Sequence, residues 1–211
     1  MSNKKRAYSD ADKQQREDNI IGAAETLLKE KDYLAINMAE VAQSAGLAKG
    51  TLYLYFKTRE ELFLKVFERQ TVSWRDEIEQ SLGEIDSSDE ALIELLVKTT
   101  MDRPLFTRLV ALSPIVLEYN VALEQLREHK LWVYGNLYEV AHLLEEKFDL
   151  RPTQGTHLLL TMFVFVAGLE GFAHPAPMTG HIIDSEPSLV TIDFESELRS
   201  LLVALLAVAS A

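Results

Sequence analysis

Cysteine is absent from the 211 residues. That removes any disulfide framework and any thiolate metal site, and it suits a reducing compartment, so a cytoplasmic location is expected. No segment alternates apolar and polar residues at period two for long enough to argue a sheet, and no internal repeat is visible. The Gly-x-Ser-x-Gly elbow, the phosphate loop and the dinucleotide fingerprint are also missing. Catalysis therefore has no visible machinery, and neither an enzyme nor a cofactor is expected. The most apolar stretch, Leu158 to Leu169, is interrupted by Thr161 and falls short of the roughly 20 residues of a membrane span. It reads as a helix buried against protein. Lys4, Lys5 and Arg6 are followed by Ala-Tyr-Ser-Asp rather than an apolar run, which argues against a secretory signal.

What the chain does contain is concentrated between Asn37 and Lys57, Asn-Met-Ala-Glu-Val-Ala-Gln-Ser-Ala-Gly-Leu-Ala-Lys-Gly-Thr-Leu-Tyr-Leu-Tyr-Phe-Lys. These residues read as two short helices joined by a glycine turn. Val41 and Ala42 give the first helix an apolar face, Gly46 can take the left-handed conformation of a tight turn, and Leu47 fills the corner. On the second helix, about 49–56, spacing of three and four residues brings Leu52 and Phe56 to one side. Lys49, Thr51, Tyr53 and Tyr55 are spread over the remainder. One face packs while another is free to read a DNA groove.

The charge distribution is compatible with that reading. The formal net charge is −12, but residues 1–59 hold ten Lys and Arg against eight Asp and Glu (+2), whereas residues 60–211 hold 11 against 25 (−14). Repulsion of phosphate is thus concentrated outside the reading head. The basic residues of a flexible arm at 1–9 could add phosphate contacts or enter a minor groove; a solubilising tail explains them equally well.

Lys-Gly-Thr-Leu-Tyr-Leu-Tyr-Phe-Lys at 49–57, preceded by Ala-Glu-Val-Ala-Gln-Ser-Ala-Gly-Leu, resembles the DNA-binding domain of TetR-type transcriptional regulators. The likeness extends back through Arg16, Ile20, Ala23, Ala24, Leu27 and Leu28 and forward through Arg59-Glu-Glu-Leu-Phe, about a third of the chain. It implies an all-α protein, with a helix-turn-helix domain at 1–58 and a helical effector-binding and dimerisation domain at 59–211. The partners implied are a palindrome-like operator, read by a homodimer, and a small organic effector that releases it. By alignment Lys49 and Tyr53 face the groove, and Tyr55 and Lys57 hold phosphates. Chemistry supports the split, because Lys49 can donate to guanine O6 or N7 and Thr51 can offer its methyl or hydroxyl. Packing is the competing explanation for both tyrosines. Gly50 removes a side chain where backbone must approach DNA, and the amides there can hold a phosphate. Met38 stands where the family commonly has a phosphate-binding threonine; Asn37 could cap that helix and partly replace the contact.

Helix punctuation completes the outline. The first helix is expected from Asp10 or Asp12 to Lys31, ending at Asp32 in place of the family's left-handed glycine. Thr58 and Glu61 form a capping box for a helix to about Leu82, and Ser88 or Asp89 caps another to Met101. Pro104 and Pro114 suit first turns, with Ser113 as a cap. Further helices are expected over 121–148, 153–172 and from Phe194 onward.

Two late helices are apolar around most of their circumference, so Phe163, Val166 and Leu205 are candidate dimer-interface residues. Trp74, Trp132, Tyr138, His142 and Phe163 are candidate pocket residues, although aromatic stripes are more often plain core. Glu139 and His142 have the Glu-x-x-His spacing of carboxylate-bridged metal sites, but the second pair, Glu170 and His174, is spaced by four. No metal is therefore expected. A helical sensor that lacks sequence-specific DNA binding, or a metal-binding helical protein, are the alternatives.

Overall fold

The computed structural model describes residues 2–186 and 188–209, with side chains from Ala11 to Ala207. Among the described residues there are helices and no strands. The first, α1 (Ser2–Glu30), begins earlier than expected. Asp10 and Asp12 therefore lie inside a helix rather than capping it, and residues 2–9 continue α1 instead of forming a flexible arm; the side chains of that basic segment lie outside the described residues. Asp32 is extended (φ −67°, ψ 144°) and opens a short 3-10 turn, Tyr33–Ala35. No left-handed residue is needed there, because the end of α1 is capped from outside. Arg108 donates to Leu28 O (2.8 Å), Lys31 O (3.0 Å) and Asp32 Oδ1 (3.0 Å), supplying the carbonyl partners that a Schellman turn would otherwise provide.

The reading head continues with α2 (Met38–Ser44) and the single turn α3 (Lys49–Leu52). A long helix, α4 (Arg59–Ser81), then passes into the body. Thr58 accepts from Glu61 N (3.1 Å), while the Glu61 carboxylate accepts from Lys57 N (2.7 Å), one residue before the amide of a standard capping box. The body adds α5 (Asp89–Met101), capped by Ser88, and α6 (Pro104–Leu112) with proline in its first turn.

Pro114 does not start a new helix. The chain widens into a five-residue π turn, Ser113–Leu117. Proline has no N–H to donate, and the strain is absorbed by lengthening the ladder: Glu118 N donates back to Ser113 O at 3.2 Å. The Ser113 hydroxyl, expected as a cap, donates instead to Glu118 Oε1 (2.8 Å).

The next two helices, α7 (Leu123–Phe148) and α8 (Gln154–Ala173), are joined by a turn with two non-glycine residues at positive φ, Asp149 (51°) and Thr153 (68°). They approach closely at Gly155, where a Cβ would meet Ala141 O at 2.5 Å. A helix the sequence reading lacked, α9 (Pro177–Ser185), follows because Pro177 occupies its first turn rather than ending structure. The last is α10 (Phe194–Ala209).

One hydrophobic core runs from Ile20 in α1 to Leu206 in α10. By length and composition α8 could cross a bilayer. Its Leu158, Leu159, Met162, Val166 and Leu169 are nevertheless buried, and the helix packs on α6, α7 and α10.

Candidate nucleic-acid interface and ligand cavity

The geometry of the head starts at Asn37. Its Oδ1 accepts from Ala39 N (3.0 Å) and Glu40 N (3.1 Å), and the Glu40 carboxylate accepts from Asn37 N (3.3 Å), which makes a reciprocal capping box. Two otherwise orphaned amides of α2 are satisfied this way. Gly46 sits at φ +67°, where a side chain would be strained. The turn sets α3 against α2, with Val41, Ala42, Leu52 and Phe56 buried beneath. Met38 is buried too, so its thioether serves the core.

The outer surface of this corner carries the predicted residues. Lys49, Gly50, Tyr53 and Lys57 are exposed, and Thr51 and Tyr55 are half-buried. Lys49 Nζ lies 5.9 Å from the centre of the Tyr53 ring, close enough for a weak cation–π attraction that gathers both on one side of α3. A Cβ at Gly50 would touch no protein atom. Internal packing therefore does not require glycine there. Tyr55 packs partly against the core, which divides its surface between packing and solvent. Leu54, 82 % exposed at the tip, was not singled out from the sequence; its signal was an apolar residue between two tyrosines on the free face.

The head is fastened to the body through Glu60, which is buried at the start of α4. Tyr33 Oη donates to Glu60 Oε1 (2.9 Å) and Asn120 Nδ2 to Glu60 Oε2 (3.1 Å). Arg59 lies over the Tyr33 ring at 4.1 Å and donates to Ile36 O (3.0 Å). Burial pushes the Glu60 carboxyl up, but its hydrogen bonds and the Arg59 charge outweigh it and hold the group below the ordinary glutamate value. The Tyr33 hydroxyl is pushed well above the usual tyrosine value, by burial first and then by the hydrogen bond to Glu60.

In the body, a cavity of about 210 Å³ lies between α4, α6, α7 and α8. Its walls include Phe67, Trp74, Phe106, Leu137 and Phe163. Trp74 stacks on Phe106 (5.6 Å), and Phe163 meets both rings edge-on (5.2 and 5.7 Å). At one side stand Ser113, Glu118 and Lys130, with Lys130 Nζ 2.6 Å from Glu118 Oε1. Trp74 and Phe163 thus reach the cavity as expected, whereas Trp132, Tyr138 and His142 do not line it. On α7 the cavity takes Lys130, Val133, Tyr134 and Leu137. Tyr138, on the turn after Tyr134 with its ring 6.1 Å from that ring, and His142 are exposed.

A larger groove of about 1000 Å³ runs along the seam of α1, α4, α6 and α8. It is the weaker candidate, because most of its charged side chains are paired within the protein, although Arg103 Nε and Glu170 Oε2 are buried without a partner. Arg103 pairs with Glu77, and Arg108 caps α1. The metal alternative loses its geometry: Glu139 is turned to Arg75 (3.6 Å) and His142 to Glu146 (3.6 Å). Among the described residues no group of three His, Asp or Glu converges. A buried pair the sequence did not signal joins α4 to α7, with His129 Nδ1 2.9 Å from Glu68 Oε1.

Of the candidate dimer residues, Val166 is 1 % exposed in the single chain and Phe163 points to Trp74. Leu205 is half-buried. The outward residues of α8 are instead Val164 (75 % exposed), which also lines the cavity, and Phe172 (70 %), and Val203 is exposed on α10.

A capped helix-turn-helix head on an all-helical body with an apolar cavity defines a DNA-binding regulator. Residues 20–66 match the bacterial regulatory proteins of the tetR family, and residues 68–209 match the tetracyclin repressor-like C-terminal domain. The chain belongs to the TetR family, whose members are transcriptional regulators and not enzymes. Among curated relatives, it is 30 % identical over 79 residues to the fatty acid metabolism regulator protein of Bacillus subtilis, covering 37 % of this chain and 41 % of that protein. It is 33 % identical over 60 residues to the regulator QacR of Staphylococcus aureus, covering 28 % and 32 %. The matches span about two-fifths or less of those relatives. Among solved structures, FadR of Thermus thermophilus in complex with lauroyl-CoA superposes with a TM-score of 0.60 at 20 % identity, over 90 % of this chain and 93 % of that one. FadR of Bacillus subtilis in complex with stearoyl-CoA gives 0.56 at 20 %, over 89 % and 96 %. At such identity these two establish the shared fold.

Proposed function

We propose that this protein is a one-component repressor. Residues 1–58 read a palindrome-like operator as part of a homodimer, and residues 59–211 bind a small organic effector that lowers operator affinity in the cytoplasm. The observation that carries the reading is the free outer face of α3, where Lys49, Tyr53 and Lys57 are exposed above a corner fixed by Asn37 and Gly46. Lys49 and Tyr53 read bases, Thr51 and Gly50 bring backbone amides and a hydroxyl close to DNA, and Tyr55 and Lys57 hold phosphates. Two heads spaced by one helical turn of duplex, about 34–36 Å, would occupy successive major grooves.

Dimerisation runs through the outward faces of α8 and α10, at Val164, Phe172 and Val203, with Leu205 at the margin. The effector occupies the apolar cavity. A physical link from there to the head is short: Glu118 stands on the cavity, Asn120 follows two residues later, and Asn120 is bonded to Glu60 under the head. An effector that prefers one arrangement of this segment shifts the head by the same free energy.

The test is an operator located by selection from random duplexes, followed by titrations at several salt concentrations. Lys57→Ala is expected to weaken all duplexes alike and to flatten the salt dependence by about one unit. Lys49→Ala should lose about 1–3 kcal/mol mainly at one base pair per half-site. Equal discrimination by Lys49→Ala and the parent protein removes Lys49 from base reading.

A further inference from the structure

Most polar side chains on the body cavity are satisfied by the protein itself. Thr71 Oγ1 donates to Phe67 O (2.9 Å), Ser113 Oγ to Glu118 (2.8 Å) and Lys130 Nζ to Glu118 (2.6 Å). The hydroxyl of Tyr134, a lining residue open to solvent, is in none of these bonds, and the buried exception is Trp74. Its side chain is 1 % exposed, and its Nε1 is buried without a hydrogen-bond partner. The other buried side-chain atoms without a partner among the described residues belong to Thr100, Arg103, His129 and Glu170, none of which lines this cavity. Trp74 lines the cavity while its Nε1–H is sealed behind the ring contacts, and such an orphaned donor costs free energy until an acceptor reaches it.

Three features constrain what that acceptor is attached to. The volume, about 210 Å³, lies below the roughly 300–1,000 Å³ of pockets for drug-sized ligands, which favours a compact molecule. The walls are aromatic at Phe67, Trp74, Phe106 and Phe163, which suits a flat, apolar body. The charged groups present, Lys130 and Glu118, already neutralise each other. A buried anion or cation on the ligand would find no free counter-charge, and desolvating it would oppose binding.

We infer that the effector is a compact, uncharged, largely aromatic molecule with one acceptor oxygen, such as an aryl ketone or ester, which takes the Trp74 Nε1–H as a hydrogen bond. This rests on the cavity being the effector site. An acyl-CoA, the ligand in the two FadR structures, is a poor fit. Its polyanionic head would meet one lysine, and that lysine is already paired.

The experiment compares acetophenone with ethylbenzene, which differ at the acceptor, and adds benzoate, benzyltrimethylammonium and lauroyl-CoA as charged arms. Binding to the full-length protein is followed by calorimetry and by the indole N–H resonances in 15N-labelled protein, with Trp132→Phe leaving Trp74 as the single indole. Acetophenone is expected to bind about tenfold more tightly than ethylbenzene, the order of one neutral hydrogen bond, and to shift the Trp74 N–H downfield. Trp74→Phe should erase the preference while ethylbenzene still binds. Should that variant fold poorly, the resonance shift in Trp132→Phe decides alone. Equal binding of the matched pair, an unmoved Trp74 resonance, tighter binding of a charged arm, or no binding by acetophenone each overturns the proposal. The same ligands are then added to the protein–operator complex. If acetophenone binds as expected and operator affinity does not change, the effector-site reading fails and the ligand chemistry stands.

Discussion

At the scale of single residues, the junction under the head is held by carboxylates whose ionised form the fold prefers. Glu60 is one. Glu68 is another: burial pushes it up, but hydrogen bonds from His129 and Lys65 bring it below its ordinary value. In both, the folded pKa is lower than the unfolded one. Their stabilisation is therefore complete above the ordinary value of 4.5 and is lost as pH falls through the depressed folded value. The urea midpoint should hold above about pH 5 and drop as pH falls below it, and Glu60→Gln should show a shallower drop than the parent. A midpoint that is flat below that pH removes these carboxylates as the source of acid sensitivity. Residues also mark where sequence is a sufficient guide. Asn37, Gly46, Leu52 and Phe56 take their roles from neighbours within a few positions, and each was readable from spacing. Glu60 and Glu68 depend on partners 27 to 61 residues away, as in Glu60 with Tyr33 and Asn120 or Glu68 with His129. No local pattern carries that information.

At the scale of elements, α7 and α8 show why apolar content alone misplaced some residues. The inner face of α7 is Leu137, Val140, Ala141 and Leu144, an aliphatic stripe at helical spacing. Choosing its aromatics instead selected Trp132 and Tyr138, which lie to the side. On α8 the greasy circumference hid which residues face inward. The burial pattern makes a prediction: Val166→Glu should unfold the protein, since an uncompensated buried charge costs several kcal/mol. Val164→Glu should leave the monomer folded and weaken self-association. Light scattering with circular dichroism separates the two, and a Val164→Glu protein that remains dimeric moves the interface elsewhere. The segment between α6 and α7 supports a further test. Asn120→Ala removes the bond to Glu60 without touching the cavity, so effector affinity for free protein should persist while its effect on operator affinity shrinks, within the usual coupling range of about 1–3 kcal/mol. Unchanged coupling assigns the link to α4 or to Arg108.

At the scale of the whole molecule, the division into head and body is less a seam than a shared beam. Helix α4 covers Arg59–Ser81 without a glycine or proline, about 35 Å at 1.5 Å per residue. Its first turns bury Leu62, Phe63 and Val66, and Tyr33 of the head meets Phe63 edge-on at 5.1 Å. Its later turns bury Trp74 and Ile78 in the body. The head therefore owns no complete core of its own, and a cut near residue 58 would strand apolar side chains on both fragments. Calorimetry should record one cooperative melting transition rather than two, with equal calorimetric and van't Hoff enthalpies after allowance for dimer dissociation. Two resolved transitions would show that α4 can break in the middle. A single transition has a consequence for regulation in the cell: whatever compound settles in the body also slows global opening of the DNA-reading corner. Under the function proposed above, occupancy by the effector would then protect the released regulator from proteolysis, and the pool ready to rebind would outlast the signal that displaced it.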